Sequence, residues 1–140
     1  MTVRDKIDAA IAAAIAGLAP EIEFEPAGDP SQFPSLAVFA GGHVVIDREA
    51  GVTRYESEFT IEGYVEGDGG TAPSAERNAL QAAVVAAIMA DETLGGNVEL
   101  LDDADCRFAT ATLASVRRLM FAQDFTIQFT TSRGNPALPA

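Results

Sequence analysis

Two long stretches of the chain alternate apolar and polar residues with period two. In Arg54 to Glu66, Tyr55, Ser57, Phe59, Ile61, Gly63 and Val65 fall on one side, and Glu56, Glu58, Thr60, Glu62, Tyr64 and Glu66 on the other. That is the signature of a β-strand with one buried face and one wet, acidic face. Leu119 to Thr131 repeats it, with Phe121, Phe125, Ile127 and Phe129 opposed to Asp124, Thr126, Gln128 and Thr130. At about 3.3 Å per residue the first stretch would span roughly 40 Å, well beyond the usual five or six residues. Such length suits a sheet that reaches past one small domain toward a neighbour.

The rest of the chain falls into shorter elements. Ile7, Ile11, Ile15 and Leu18 form one apolar stripe over Thr2 to Leu18, predicting a helix capped by Thr2 and stopped at Gly17 and Pro20. Glu21 to Glu25 reads as a short strand, and Pro26 to Pro34 as a proline-rich loop. Ser35 to Ala40 is nearly all apolar, as in a strand buried on both faces. Gly41-Gly42 is expected to turn it into a strand over His43 to Arg48, and Glu49-Ala50-Gly51 to turn again, giving an antiparallel meander. After a glycine-rich turn, a second helix is capped by Thr71 or Ser74, carries Leu80, Val84, Ala87 and Ile88 inward, and stops at Gly95-Gly96. Val98 to Leu101 and Ala109 to Val116 complete the strands. The order predicts an α+β fold, with two helices on one face of a mainly antiparallel sheet whose long strands extend toward neighbouring subunits. A single domain over residues 1–131 is expected, with a flexible tail over 132–140.

Composition narrows the function. The 140-residue chain has 21 acidic and nine basic residues, a net charge of −12, which argues against holding nucleic acid by phosphate neutralisation. Cys106 is the single cysteine, so an internal disulfide and a multi-cysteine zinc site are excluded. Met1 to Leu18 lacks the continuous apolar run of a signal peptide, and Ala82 to Ala90 is too short to span a bilayer. A soluble protein made in the cytoplasm is expected.

Candidate chemistry is sparse. His43 is the only histidine; its partner would be Asp47 or a remote carboxylate, and no serine lies in a Gly-x-Ser-x-Gly elbow, so a hairpin histidine is the plainer reading. Glu99, Asp102, Asp103 and Asp105 are oxygen-rich but do not match the calcium loop, and read as a solvated turn. The glycine-rich turn before the second helix lacks the lysine of a phosphate loop. Arg117-Arg118 either answers an acidic patch on a partner or guards a strand against aggregation. The strand glutamates either keep an exposed sheet face from stacking or line a negatively charged surface inside an assembly. No catalytic, cofactor-binding or metal-binding residues are expected.

Taken in order, an N-terminal helix, FPSLAVFA, YESEFTIEGYV, a helix closing in IMADETLGGNVELLD, and MFAQDFTIQFTTSRGNP resemble the tail terminator and minor tail proteins of siphovirus-type bacteriophages and phage-derived particles. The resemblance runs over roughly residues 1–136. It implies a structural protein, not an enzyme, that closes into a ring, typically a homohexamer, at the head-proximal end of the phage tail. Such a ring stops tube polymerisation and presents the head-tail joining surface. The implied partners are further copies of itself, the tail tube protein and neck or connector proteins, with DNA passing through without tight binding and no membrane or cofactor involved. The implied location is the virion, after assembly in the host cytoplasm. On this reading Glu56, Glu58 and Glu62 are candidates for the ring lumen, and Phe33, Arg117 and Arg118 for the subunit interface. Competing expectations are a head-tail connector (tail completion) protein and a small cytoplasmic ligand-binding domain.

Overall fold

The helical spacing at the N-terminus becomes α1, Val3–Ile15, in a computed structural model that describes residues 1–67, 71–113 and 116–140. Thr2 and Asp5 cap it reciprocally. The Thr2 hydroxyl accepts from the Asp5 amide at 3.1 Å, and the Asp5 carboxylate accepts from the Thr2 amide at 2.8 Å, so two otherwise orphaned donors are satisfied. Val3, Ile7, Ile11 and Ile15 are buried, and Leu18 packs partly buried against the same core. Gly17, at φ +83°, closes the helix in the left-handed region that glycine adopts freely.

The sheet is built on the two alternating stretches. β3, Val52–Glu66, and β5, Val116–Ser132, pair antiparallel without a break from Val52 against Ser132 to Glu66 against Arg118. On the buried face Phe59 stacks on Phe125 with ring centroids 4.9 Å apart. Ile61, Val65, Phe121, Ile127 and Phe129 complete that face. β2, Ser35–Glu49, pairs antiparallel with β3, while the short β1, Glu21–Phe24, lies parallel to the start of β2. β4, Leu100–Leu113, flanks β5, giving the order β1-β2-β3-β5-β4 with β6, Asn135–Pro139, folded back on the end of β5. α2, Thr71–Met89, buries Leu80, Val84 and Ile88 in the core shared with α1, and leaves Ala87 half-buried. The architecture is the expected α+β one. Thr71 opens α2, Ser74 lies within its first turn, and the preceding residues 68–70, where a cap would act, lie outside the described residues.

Several expected breaks are instead bulges or returns. β2 runs straight through Gly41-Gly42, where two glycines oppose Glu58 alone. A Cβ on Gly41 would stand 2.8 Å from the Glu58 carbonyl oxygen. Arg4 donates to the Gly41 carbonyl and the Ser57 hydroxyl to the Gly42 carbonyl, both at 2.8 Å, so the strand kinks and continues rather than reversing. The meander is therefore one long hairpin that turns at Ala50-Gly51. Likewise the strands expected over Val98 to Leu101 and Ala109 to Val116 are joined into one: β4 runs unbroken from Leu100 to Leu113, with Ala104-Asp105 bulged opposite Asp124; residues 114–115 lie outside the described residues and Val116 opens β5. Asp102, Asp103 and Asp105 thus sit on a strand, not in a turn. α2 ends at Met89, ahead of Gly95-Gly96, where the Asp91 carboxylate accepts from the amides of Thr93 (3.0 Å) and Gly95 (2.8 Å) and starts a series of turns. The segment after Ser132, expected to lack order, turns at Arg133-Gly134 and returns as β6, with the Ser132 hydroxyl donating to the Pro139 carbonyl at 2.8 Å.

Gly63 occupies the buried face opposite Phe121, and a Cβ built on it falls within the van der Waals envelope of the Phe121 ring. Gly63→Ala should destabilise the protein by about 1–3 kcal/mol through overpacking, read by urea unfolding. Phe121→Leu should relieve part of that cost, so that the double variant loses less than the two single variants summed.

Candidate functional site

Opposite the helices, β3 and β5 present a polar outer face tied together across strands. Gln128 donates to the Glu56 carboxylate at 3.1 Å, and the Tyr64 hydroxyl donates to Glu62 at 2.5 Å. Thr60 donates to Asp124 at 2.6 Å, and Arg107 of β4 grips the same carboxylate through two bonds of 2.6 and 3.1 Å. Of the three lumen candidates, Glu56 and Glu62 are therefore half-buried and hydrogen-bonded, whereas Glu58 is exposed. Burial first, and then the neighbouring Glu62 carboxylate, push the Tyr64 phenol well above its ordinary value. It remains a proton donor.

The interface candidates separate. Arg118, on this outer face, is 9% exposed, with its guanidinium 4.2 Å from the centroid of the Phe33 ring. The proline loop thus lies over the start of β5 and covers this cation within the subunit, a contact worth about 0.5–2 kcal/mol. Arg117, its neighbour, is exposed. A cleft of about 260 Å³ opens between the loop and the sheet, lined by Glu21, Glu23, Asp29, Leu36, Phe39 and Tyr64 among others. Its volume is below the roughly 300–1,000 Å³ usual for small-molecule sites.

His43 is engaged otherwise than by a carboxylate. Arg4 of α1 donates to its Nδ1 at 2.9 Å, and its ring meets Tyr55 edge-on with centroids 4.5 Å apart. Desolvation, and then the Arg4 charge, lower its pKa, which keeps the imidazole neutral as an acceptor. Asp47, the partner considered for it, instead pairs with Arg54 at 3.1 Å, and Arg54 also binds Glu99 at 2.8 Å. Among the described residues no group of three or more His, Cys, Asp or Glu is placed to hold a metal ion. Among the described residues no helix is long and apolar enough to cross a membrane. Burial raises the pKa of the Cys106 thiol, although the residue as a whole is exposed.

The polar tie through Asp124 joins β3, β5 and β4, and only part of it was visible in sequence. Asp124 and Thr60 share the polar phase of their strands, but the Ala104-Asp105 bulge brings Arg107 within reach. The bonds from Arg107 hold the Asp124 carboxyl below its ordinary 3.8, with Thr60 assisting. A carboxyl depressed on folding stabilises the protein fully above its unfolded pKa and loses that contribution as pH falls through its folded value. Asp124→Asn should therefore cost about 1 kcal/mol at pH 7. Parallel urea titrations should show the gap from the parent closing below pH of about 4.

The chain matches no family model and no curated protein. Among solved structures it is similar to a chain of one described as the virion of a native gene transfer agent particle. The two are 14% identical, the alignment covers 91% of this chain and 92% of that one, and the TM-score is 0.39.

Proposed function

We propose that this protein is a structural virion subunit that closes as a ring on the head-proximal end of a phage-type tail tube, ends tube polymerisation and forms the joining surface to the head. The observation that carries this reading is a sheet that overruns its own core. Every residue of β2 from Ala40 to Glu49 is exposed, including Val44 at 62%, Val45 at 40% and Ile46 at 43%. A long, apolar, uncovered strand is a liability in an isolated monomer and an asset in an assembly. The sequence resemblance to tail terminators supplies the kind of assembly. The acidic outer face supports a passage that lets a polyanion slide without sticking, with Glu56, Glu58 and Glu62 facing it.

Sedimentation of the purified protein, alone and mixed with tail tube protein, should show a multi-subunit species. Monomers at every concentration, with and without tube protein, would overturn the ring. Glu58 gives the cleanest probe of the lumen, because it is exposed and free of the cross-strand bonds that occupy Glu56 and Glu62. Particles carrying Glu58→Lys, and more strongly Glu56, Glu58 and Glu62 all changed to Lys, should lose DNA delivery; unchanged delivery by the triple variant would remove these residues from the passage.

A further inference from the structure

The sheet ends in two open edges, and their chemistry differs. On one side β1 covers β2 only over Ser35 to Val38, and just beyond it the Glu25 carboxylate accepts from the Ala40 amide at 2.7 Å. From Gly41 to Glu49 no described strand pairs with that side of β2. On the other side, among the described strands, β4 pairs with β5 alone, and Asp102 to Thr110 are exposed throughout, Phe108 remaining 53% exposed with Arg77 of α2 over its ring. The β2 edge carries Arg48 between Asp47, which pairs with Arg54, and Glu49, with Arg4 clamped at His43 beside it. The β4 edge carries Asp102, Asp103 and Asp105 within four residues. In a chain with nine basic residues against 21 acidic ones, Arg48 is the cation that the β2 edge offers to those aspartates.

We infer that the β2 edge of one copy, Gly41 to Glu49, adds as a strand to the β4 edge, Leu100 to Phe108, of the next. This rests on the ring reading above and identifies its contact. Strand polarity fits. β2 and β5 run one way, β3 and β4 the other, so rotating a copy about an axis along the strands lays its β2 antiparallel to the preceding β4. The contact is heterologous, using different surfaces on the two copies, and therefore propagates into a ring or filament rather than stopping at a pair.

The register also fits. Across the sheet Val44 stands level with Leu100, through Glu56 and Gln128, so copies set level would overlap over only a few residues. Strands in closed sheets tilt by about 35–45°, and over four strands spaced about 4.8 Å apart that tilt steps each copy by roughly 13–19 Å, about four to six residues. A step of about five residues brings Gly41 to Glu49 alongside Leu100 to Phe108 and sets Arg48 diagonal to Asp103, while Asp47, which Arg54 neutralises, comes level with Asp102.

Cys106 supplies the test, because it is exposed on β4 and is the only cysteine of the chain. His43→Cys, Val44→Cys and Val45→Cys, each made singly and treated with a mild oxidant, place a second thiol across the proposed contact. A disulfide needs Cα atoms about 4.4–6.8 Å apart. At least one variant should give a denaturing-gel ladder extending beyond dimer, lost when Cys106→Ser is added. Arg48→Glu should weaken association about tenfold, and Asp103→Lys with Asp105→Lys in the same chain should restore it. Dimers alone, formed through Cys106 in the parent as well, would mean that β4 pairs with β4 and would overturn the inference. A ring that sediments intact without a ladder from any variant would also overturn it and leave the ring reading standing. Monomers that never cross-link would remove both.

Discussion

The unbroken pairing of β3 with β5 is the constraint on which the rest of the structure depends. Because side chains alternate faces, a slip of one residue would carry the glutamates of β3 into the core and Phe59, Ile61 and Val65 into water. Both faces lock the same register. On the buried side Phe59 meets Phe125, and Phe121 fills the space that Gly63 leaves. On the outer side Thr60 reaches Asp124 and Glu56 is met by Gln128. Hydrophobic burial decides the energy and the polar pairs add selectivity, since each is satisfied only when the aromatic pairs are in place.

The outer strands depart from this regularity at matched places. β2 bulges opposite Glu58 and β4 bulges opposite Asp124, so each flanking strand kinks near the middle of the central pair. Bulges increase local twist. Beyond the first, Arg4 is the last part of α1 to reach β2, through His43 and the Gly41 carbonyl. On β2 the cover by α1 therefore ends near the bulge, whereas on β5 it continues to Phe129, which is buried beneath Arg4. The distal hairpin is held by backbone pairing and by the Asp47, Arg54 and Glu99 cluster, with little apolar burial. By that measure it belongs to the least stable part of the fold.

The elements whose partners are close in sequence, or whose pattern is long, were legible from the residues. The Thr2 cap, the α1 and α2 stripes and both alternating strands needed only local rules. The errors share one cause: whether Gly41-Gly42 turns or bulges is decided by Glu58, Ser57 and Arg4, which lie far from it in sequence. The last residues read as a loose tail because β6 is held by backbone and by Ser132, with all its residues exposed and no apolar pattern to betray it. The cover of Phe33 over Arg118 was equally hidden, since nothing local brings residue 33 to residue 118. For the outer face, sequence gave the sign of the charge but not which charges stay free.

That last distinction bears on what the face can do. Among the described residues its three cations are engaged: Arg107 is spent on Asp124, Arg54 on Asp47 and Glu99, and Arg118 lies under Phe33. The carboxylates are treated differently. Glu56 and Glu62 receive their hydrogen bonds from Gln128 and Tyr64, which carry no positive charge, and Glu58 is left in water. A neutral donor fixes a carboxylate in place without cancelling its charge, whereas an arginine does both. The face is thus ordered and still negative, and none of its described cations is both exposed and unpaired. A surface whose acids served only to stop sheets from stacking would need the charge but not this partition of donors. On the ring reading proposed above, this partition is what a wall past which a polyanion moves would need.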